Sequence, residues 1–166
     1  MHILINKKFL TYNKYKVKCA LGKRGIGYKK KEGDLITPIG EYKIKFILYR
    51  KDRIGKIQSK IKKIIITRNI GWCDDPRSRN YNKIVKLPTN YKYEKLYRKE
   101  NIYDVIIVLD YNMNPIIKNK GSAIFIHITK KNYKKTEGCI AIRKGEIKKL
   151  VKALEKNTKI KIVNQK

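Results

Sequence analysis

The feature that most constrains the fold of this 166-residue chain is a series of short apolar runs, each closed by turn-forming residues. Several runs alternate between apolar and polar side chains, which is the period of a half-buried β-strand. Glycine, proline and asparagine separate them, as at residues 38–40 and 112–115. We therefore predict strands within residues 16–21, 41–48, 61–67, 103–109, 123–128 and 158–163.

One segment has the period of a helix instead. Between residues 144 and 156 the apolar side chains recur every three to four positions, and lysines occupy the opposite face. A weaker helical turn is predicted at residues 93–98. The chain shows no internal repeat or linker, and its length suffices for one domain with its own core. The prediction is a single mainly β domain over residues 1–166, with one amphipathic helix near the C-terminus.

A histidine and a cysteine lie on neighbouring predicted strands. His127 falls near the end of the run 123–128, and Cys139 opens the next apolar run after a short polar loop. Adjacent strands can place a thiol beside an imidazole, and this pairing turns a weak nucleophile into a thiolate. Gly138 leaves the preceding backbone free to adopt conformations closed to other residues. The pattern predicts an acyl-transfer site, with Cys139 as nucleophile, His127 as acid and base, and N–H groups around Gly138 as oxyanion donors.

Both residues also have a purely structural interpretation. A lone cysteine is usually a small buried apolar residue, and a lone histidine in a strand is often held by a backbone hydrogen bond. The glycine before Cys139 and the histidine upstream favour the catalytic interpretation. His127 alternates with Ile126 and Ile128, so its side chain is expected on the face opposite to theirs.

The charge of the chain is extreme, with 43 lysine and arginine residues against 13 acidic ones and a formal net charge of +30. Such a field attracts polyanions. Lysines outnumber arginines heavily, although arginine is the residue suited to bidentate contacts with phosphate and guanine. The composition therefore argues against specific nucleic-acid recognition, whereas an anionic cell-wall polymer or membrane surface fits the charge.

Cys19 and Cys73 are too few and too scattered to form a disulfide framework, and we interpret them as two buried thiols rather than a pair. Two histidines and scattered acids provide no metal-ligand spacing, so no metal or cofactor is predicted. Residues 1–10 lack the apolar core of a secretory signal, and no run approaches the ~20 apolar residues of a membrane span. These features indicate either a cytoplasmic chain or a chain whose secretory signal was removed or was missed in the sequence.

Residues 71–82 resist a regular assignment and contain Trp72, the only tryptophan. A loop of this length inside a domain is often functional, which would make Trp72 a substrate contact. The alternative is a surface loop with Trp72 tucked into the core. The sequence favours neither interpretation.

The chain resembles the L,D-transpeptidase (YkuD-like) family of peptidoglycan enzymes, whose signature is a histidine on one strand followed by a Ser/Thr-x-Gly-Cys-Ile/Val segment. In this chain the segment comprises Thr136, Gly138, Cys139 and Ile140. The glycine-rich residues 22–34 and the Thr-Pro-x-Gly sequence at 37–40 resemble the family's loop and strand entry. The resemblance covers residues 16–154 and implies the family's β-sandwich with a mixed sheet.

Two positions depart from the family pattern. Many members have a histidine before the Gly-Cys pair and an arginine two residues after the cysteine, where this chain has Glu137 and Ala141. In an extended strand, Arg143 would share a face with the nucleophile, about 13 Å along it. Arg143 is therefore a candidate to bind a substrate carboxylate, as are Arg50 and Arg53 at the end of an upstream strand.

The resemblance implies a peptidoglycan L,D-transpeptidase of the periplasm or cell envelope. Its cysteine attacks the carbonyl of a diamino-acid residue in a stem peptide, expels the terminal D-amino acid and passes the acyl group to an amine. The resemblance also implies that a carbapenem acylates the thiol. A backbone carbonyl is expected to orient His127, with Gly138 and Ser122 near enough in sequence, and Ser122 is a further candidate to contact substrate.

Two other functions stay open at this point. Water as the acceptor gives an L,D-carboxypeptidase or amide hydrolase that uses the same Cys139–His127 pair. A non-enzymatic basic domain that binds a polyanion is the second alternative, and it predicts that replacing Cys139 changes nothing. The sequence does not indicate an oligomeric state.

Overall fold

The computed structural model describes residues 1–164. Strands hold 37% of its residues and helices 12%, which confirms the predicted mainly β fold with a mixed sheet. The strands are β1 (His2–Asn6), β2 (Phe9–Tyr12), β3 (Tyr15–Lys18), β4 (Ile26–Gly27), β5 (Thr37–Pro38), β6 (Gly40–Tyr49), β7 (Lys63–Ile65), β8 (Ile70–Cys73), β9 (Ile84–Lys86), β10 (Tyr93–Lys95), β11 (Val105–Leu109), β12 (Phe125–Ile128), β13 (Ile140–Ile142) and β14 (Lys159–Val163). The helices are α1 (Lys51–Ile54) and α2 (Lys144–Ala153), with 3-10 turns at Asn101–Tyr103 and Lys131–Tyr133. Nowhere in residues 1–164 is a helix long and apolar enough to cross a membrane.

The largest sheet has the strand order β13-β12-β11-β6-β14-β1-β2-β3, and β7 pairs with β6 in addition. The ten-residue strand β6 joins its two halves, because residues 40–43 pair with β14 and residues 44–49 pair with β11. A smaller sheet has the order β10-β8-β9. The strands β4 and β5 form a two-stranded sheet of their own. Most strand pairs are antiparallel, whereas β12–β13, β1–β14, β6–β7 and β4–β5 are parallel.

The centre of the main sheet is buried on both faces, which explains why β11 is a continuous apolar run rather than an alternating one. Val105, Ile107 and Leu109 belong to a cluster that also contains the apolar face of α2, and we call it the helix-side cluster. Ile106 and Val108 belong to a second cluster, which we call the cleft-side cluster and which includes Trp72, Leu96, Tyr103 and Phe125. The small sheet thus covers the face opposite to α2.

Several sequence-based assignments are corrected by the structure. Residues 93–95 form the strand β10 instead of a helical turn, because they pair with β8 and tertiary pairing overrides a weak local preference. Residues 71–73 of the presumed loop belong to β8. The strand predicted at 103–109 begins at Val105, and Tyr103 lies in a 3-10 turn. The N-terminal hairpin β1–β2 was not predicted, although it pairs with the C-terminal strand β14.

The fold places the candidate site at one end of the main sheet, where β13 is the terminal strand. Residues 20–23 cover its outer edge. The backbones of Ala20 and Ala141 exchange two hydrogen bonds of 2.8 and 2.9 Å, and Lys23 and Leu21 bond to Thr136 at 2.9 Å each. Because this edge is paired, the short segment that carries Cys139 is held from both sides.

Candidate active site

The parallel pairing of β12 with β13 brings His127 and Cys139 together. His127 lies opposite Ala141 in this register, and Cys139 directly precedes β13. The N–H of Phe125 donates to the Cys139 sulfur at 3.4 Å. Cys139 packs against the cleft-side cluster, and both it and His127 line one cleft. Ile126 and Ile128 belong to the helix-side cluster, as expected from their alternation with His127.

The Cys139 thiol donates to the carbonyl oxygen of Ala123 at 3.0 Å rather than to the imidazole. Burial raises the pKa of Cys139 to about 12, and the negative charge of Glu94 adds to this effect. The N–H of Phe125 works against this effect, but not strongly enough to reverse it. The thiol is therefore protonated in the resting site.

The imidazole of His127 is also neutral at rest. Its Nδ1 lies 3.0 Å from the carbonyl oxygen of Ile128, so Nδ1 carries the proton and Nε2 keeps its lone pair. A backbone carbonyl orients the ring, as the resemblance implied, but it belongs to Ile128 rather than to Gly138 or Ser122. Burial is the main cause that lowers the pKa of His127 to about 4.

The expected resting thiolate is thus corrected by the structure. Sequence reasoning started from the pKa of an exposed thiol, whereas both Cys139 and His127 are removed from water and burial disfavours the charged form of each. The arrangement can transfer a proton from sulfur to Nε2 as the sulfur forms a bond, without a stable ion pair beforehand.

Gly138 and Thr136 shape the turn that presents the thiol. Gly138 has a φ of +142°, and a Cβ there would lie 2.9 Å from the carbonyl oxygen of Ile36. Thr136 Oγ1 donates to the carbonyl of Cys139 at 2.6 Å and accepts the N–H of Gly138 at 3.2 Å. Both the backbone conformation and the close approach of Ile36 therefore require glycine before the cysteine.

The cleft has a volume of about 450 Å³ and carries charges of both signs. Its basic side chains are Lys23, Lys29, Lys92, Arg98, Lys130, Lys134 and Lys135. Its acidic side chains are Glu32, Asp74, Glu94 and Glu137. Glu137 is 83% exposed and 4.0 Å from Lys23, so it is a solvated side chain at the rim. Within residues 1–164, no cluster of three or more His, Cys, Asp or Glu side chains is arranged to hold a metal ion.

Sequence reasoning missed a group of three residues beside the imidazole. The ring of Tyr103 packs edge-to-face on His127, with centroids 5.3 Å apart. Its hydroxyl donates to Glu94 at 2.9 Å, and Arg98 bonds to the same carboxylate oxygen at 2.8 Å. The i, i+4 spacing of Glu94 and Arg98 was visible in the sequence, but it fell in the segment assigned to a helical turn.

The three arginines singled out from the sequence lie elsewhere. Arg50 is buried against Tyr97 and bonds to Asp52 through two nitrogens, at 2.6 and 2.8 Å. Arg53 is paired with Asp104 at 3.0 Å. Arg143 is exposed at the start of α2, over the ring of Tyr133. Among the described residues that line the cleft, Arg98 is the only arginine.

Trp72 belongs to the core, which decides between the two interpretations of its loop. It is 1% exposed and packs edge-to-face on Phe125 at 5.0 Å. Its indole N–H donates to Asn82 Oδ1 at 3.1 Å, and the N–H of Ala123 donates to the same oxygen at 3.1 Å. Trp72 therefore supports, through Asn82, the backbone of Ala123, whose carbonyl accepts the hydrogen bond of the thiol. Ser122, the other candidate contact, does line the cleft.

The remaining cysteines lie away from this site. Cys19 and Cys73 are both buried free thiols, in agreement with the sequence-based interpretation. Burial raises the pKa of Cys19 to about 12, which makes it unreactive.

Comparison with known families agrees with this geometry. The model of the YkuD L,D-transpeptidase catalytic domain matches residues 2–162, nearly the whole chain. The chain therefore belongs to the L,D-transpeptidase catalytic domain family, whose members are cysteine-dependent enzymes of the cell envelope that act on peptidoglycan stem peptides. No curated protein matches the chain.

Proposed function

We propose that this protein is a peptidoglycan L,D-transpeptidase that forms an acyl-enzyme on Cys139. The observation that carries the proposal is the convergence of Cys139 and His127 on one face of a parallel strand pair, inside the cleft. Membership of the family supplies the substrate class, a stem peptide. The same membership supports action in the cell envelope.

The first half of the reaction acylates the sulfur. The thiol turns from Ala123 toward the imidazole, its sulfur attacks the donor carbonyl, and its proton passes to Nε2 of His127. The tetrahedral oxyanion is met by backbone N–H groups around Gly138 and Cys139. The imidazolium then protonates the leaving amine, and the terminal D-amino acid departs with its carboxylate intact.

The second half returns the enzyme to its starting state. His127 takes a proton from the incoming amine, the amine nitrogen attacks the thioester carbon, and the sulfur leaves as a thiol after recovering a proton from His127. Because Nδ1 of His127 donates to the carbonyl of Ile128, Nε2 is the nitrogen that exchanges the proton in both halves of the reaction. A histidine whose pKa lies near 4 is a weak base, so its main contribution is a proton shuttle at a fixed position.

Arg98 is the residue we assign to the donor carboxylate. It lines the cleft beside Tyr103, where its Nε donates to the carbonyl of Lys95 and its Nη2 donates to Glu94. Among residues 1–164, Nη1 has no partner and can donate to a second acceptor. Arginine suits this role because its planar fork matches a carboxylate. The lysines at the rim add a field that attracts anionic cell-wall polymer.

Mass spectrometry of the intact protein tests this proposal. After incubation with a purified tetrapeptide stem, an acyl adduct is expected on the wild type, on Cys19→Ala and on Cys73→Ala, and no adduct on Cys139→Ala. Addition of an amine acceptor should release a cross-linked peptide. A wild type that forms no adduct contradicts the proposal. An adduct that is released only by water assigns the site to an L,D-carboxypeptidase.

A further inference from the structure

Acidic residues are concentrated in the cleft to a degree that the composition does not predict. The chain has 13 acidic residues against 43 basic ones, yet four of the 13 line this cleft. Two of these four are accounted for, since Glu94 holds Arg98 and Tyr103, and Glu137 is solvated at the rim. Glu32 and Asp74 remain as acids without an assigned role.

Asp74 follows β8, and its negative charge is only weakly balanced by a neighbouring positive charge. Its Oδ2 lies 3.4 Å from the ammonium group of Lys92, a side chain that is 72% exposed. Its Oδ1 is buried and finds no hydrogen-bond donor among residues 1–164. Lys29 also lines the cleft, but its ammonium group is bound to Asp34 at 2.5 Å. Asp74 therefore has an oxygen ready to accept a donor, and a lysine ammonium group already lies beside it.

Ser122 supplies an independent sign of a ligand. Its residue is only 5% exposed and lines the same cleft. The hydroxyl of Ser122 lies near that of Tyr81. Within the described part of the chain, however, the Ser122 hydroxyl has no hydrogen-bond partner. Tyr81 in turn donates to Glu32. Because a buried hydroxyl without a partner is costly, this group is suited to a polar atom that arrives with substrate.

We propose that Asp74, Glu32 and Ser122 form a subsite for the free ammonium group of the diamino-acid residue in the donor stem peptide. This inference rests on the proposed function. An ammonium group has three donors, which matches two carboxylates and one hydroxyl. An amine that attacks the thioester must lose its proton, whereas carboxylates hold the protonated form. The subsite therefore suits the non-reacting amine of the donor rather than the acceptor.

Electrostatics supports this assignment. Burial raises the pKa of Asp74, and the charge of Glu32 adds to this effect, whereas Lys92 opposes it without reversing it, so negative charge is unfavourable at this position. An ammonium group relieves this cost when it enters. Lys92 then moves into solvent, which is inexpensive for an exposed lysine.

The test measures binding apart from turnover. Two stem tetrapeptides are compared, one with the free amino group on its diamino acid and one with that group N-acetylated. Their dissociation constants are measured by calorimetry on Cys139→Ala protein, which cannot react. The free form is expected to bind about tenfold more tightly, as one charge-assisted contact predicts. Asp74→Asn and Ser122→Ala in the same background should each reduce this preference, and the matched control Glu137→Gln should retain it.

Each result separates the subsite from the reaction. Equal binding of the two peptides, no binding of either, or an unchanged preference in Asp74→Asn overturns the subsite, even when the wild type forms an acyl adduct. A preference that Asp74→Asn removes supports the subsite, even when no adduct forms and the transpeptidase proposal fails. The assay is repeated at high salt, where a contact in the cleft should persist and attraction by the general field should fade.

Discussion

The ring of Tyr103 packs edge-to-face on the imidazole of His127, with the two ring centroids 5.3 Å apart and their planes at 83°. This contact is independent of the hydroxyl of Tyr103, which bonds to Glu94. The tyrosine thus has two separable parts, an aromatic body that holds His127 and a polar end that ties the 3-10 turn to β10. The imidazole of His127 is thus held by the carbonyl of Ile128 on one side and by Tyr103 on the other.

Substitutions at Tyr103 should separate these two parts. Tyr103→Phe keeps the ring and removes one hydrogen bond from the half-buried carboxylate of Glu94, so we expect a loss of about 1–3 kcal/mol in the free energy of unfolding with acylation largely retained. Tyr103→Leu removes the aromatic contact as well and should slow acylation further. Denaturant unfolding and the rate of adduct formation measure the two effects. Equal acylation rates in Phe and Leu variants would show that the ring does not position His127.

The fall of the acylation rate at low pH should reveal the pKa of His127. The imidazole must be neutral to accept the thiol proton, and burial lowers its pKa to about 4. The second-order rate of acylation is therefore expected to fall below about pH 4, rather than near the ordinary histidine value of 6.5. The measurement is adduct formation from pH 3.5 to 8 with a neutral thioester substrate. A limb centred near pH 6.5 would contradict a buried, neutral base.

The same burial predicts a pH dependence of stability. Between pH 6.5 and about 4 the unfolded chain binds a proton at His127 that the folded chain does not bind. Stability from this residue is therefore fully present above pH 6.5 and is lost as the pH falls toward 4, by an amount on the order of 3 kcal/mol. Denaturant unfolding at several pH values should show a steeper decline in the wild type than in His127→Gln. Parallel curves for the two proteins would refute the prediction.

Gly138→Ala should damage both the fold and the site. Its φ of +142° is disfavoured for alanine, and the new Cβ would approach the carbonyl oxygen of Ile36 to 2.9 Å. We expect a loss of about 1–3 kcal/mol in the free energy of unfolding and slower acylation. The matched control is Gly145→Ala in α2, where a Cβ meets open space. This control should gain about 0.5–1 kcal/mol. A Gly138→Ala protein as stable and active as the wild type would be inconsistent with the geometry of the turn.

Arg98 is expected to hold the carboxylate of an acylating carbapenem. Arg98→Gln should slow adduct formation about tenfold or more, because one charge-assisted hydrogen bond is lost. Arg143→Gln removes an equal charge outside the cleft and serves as the control. The rates are compared at low and high salt, since salt screens the general field more than a direct contact. If both variants form the adduct more slowly by the same factor, and high salt removes their difference from the wild type, the positive charge only attracts the inhibitor at long range and Arg98 makes no direct contact with its carboxylate.

The extent to which the fold could be predicted depended on the length and periodicity of each segment. The helix predicted at 144–156 is α2, at Lys144–Ala153, because four apolar positions on one face are a strong signal. The helical turn predicted at residues 93–98 was wrong, because the three residues of β10 owe their extended conformation to pairing with β8. The same error concealed Glu94, which lies in β10, and Arg98, which follows that strand, and both of them line the cleft.

The sequence by itself determined the mainly β class, the C-terminal helix and the pairing of a histidine strand with a Gly-Cys segment, because periodicity and short motifs are local properties. Tertiary structure decided what surrounds that pair. Residues distant in the chain, such as Tyr103, Arg98 and Asp74, meet His127 and Cys139 only when the small sheet covers the main one. Burial also decided the protonation states, since desolvation depends on every packed neighbour and reverses what the free pKa values of a thiol and an imidazole suggest.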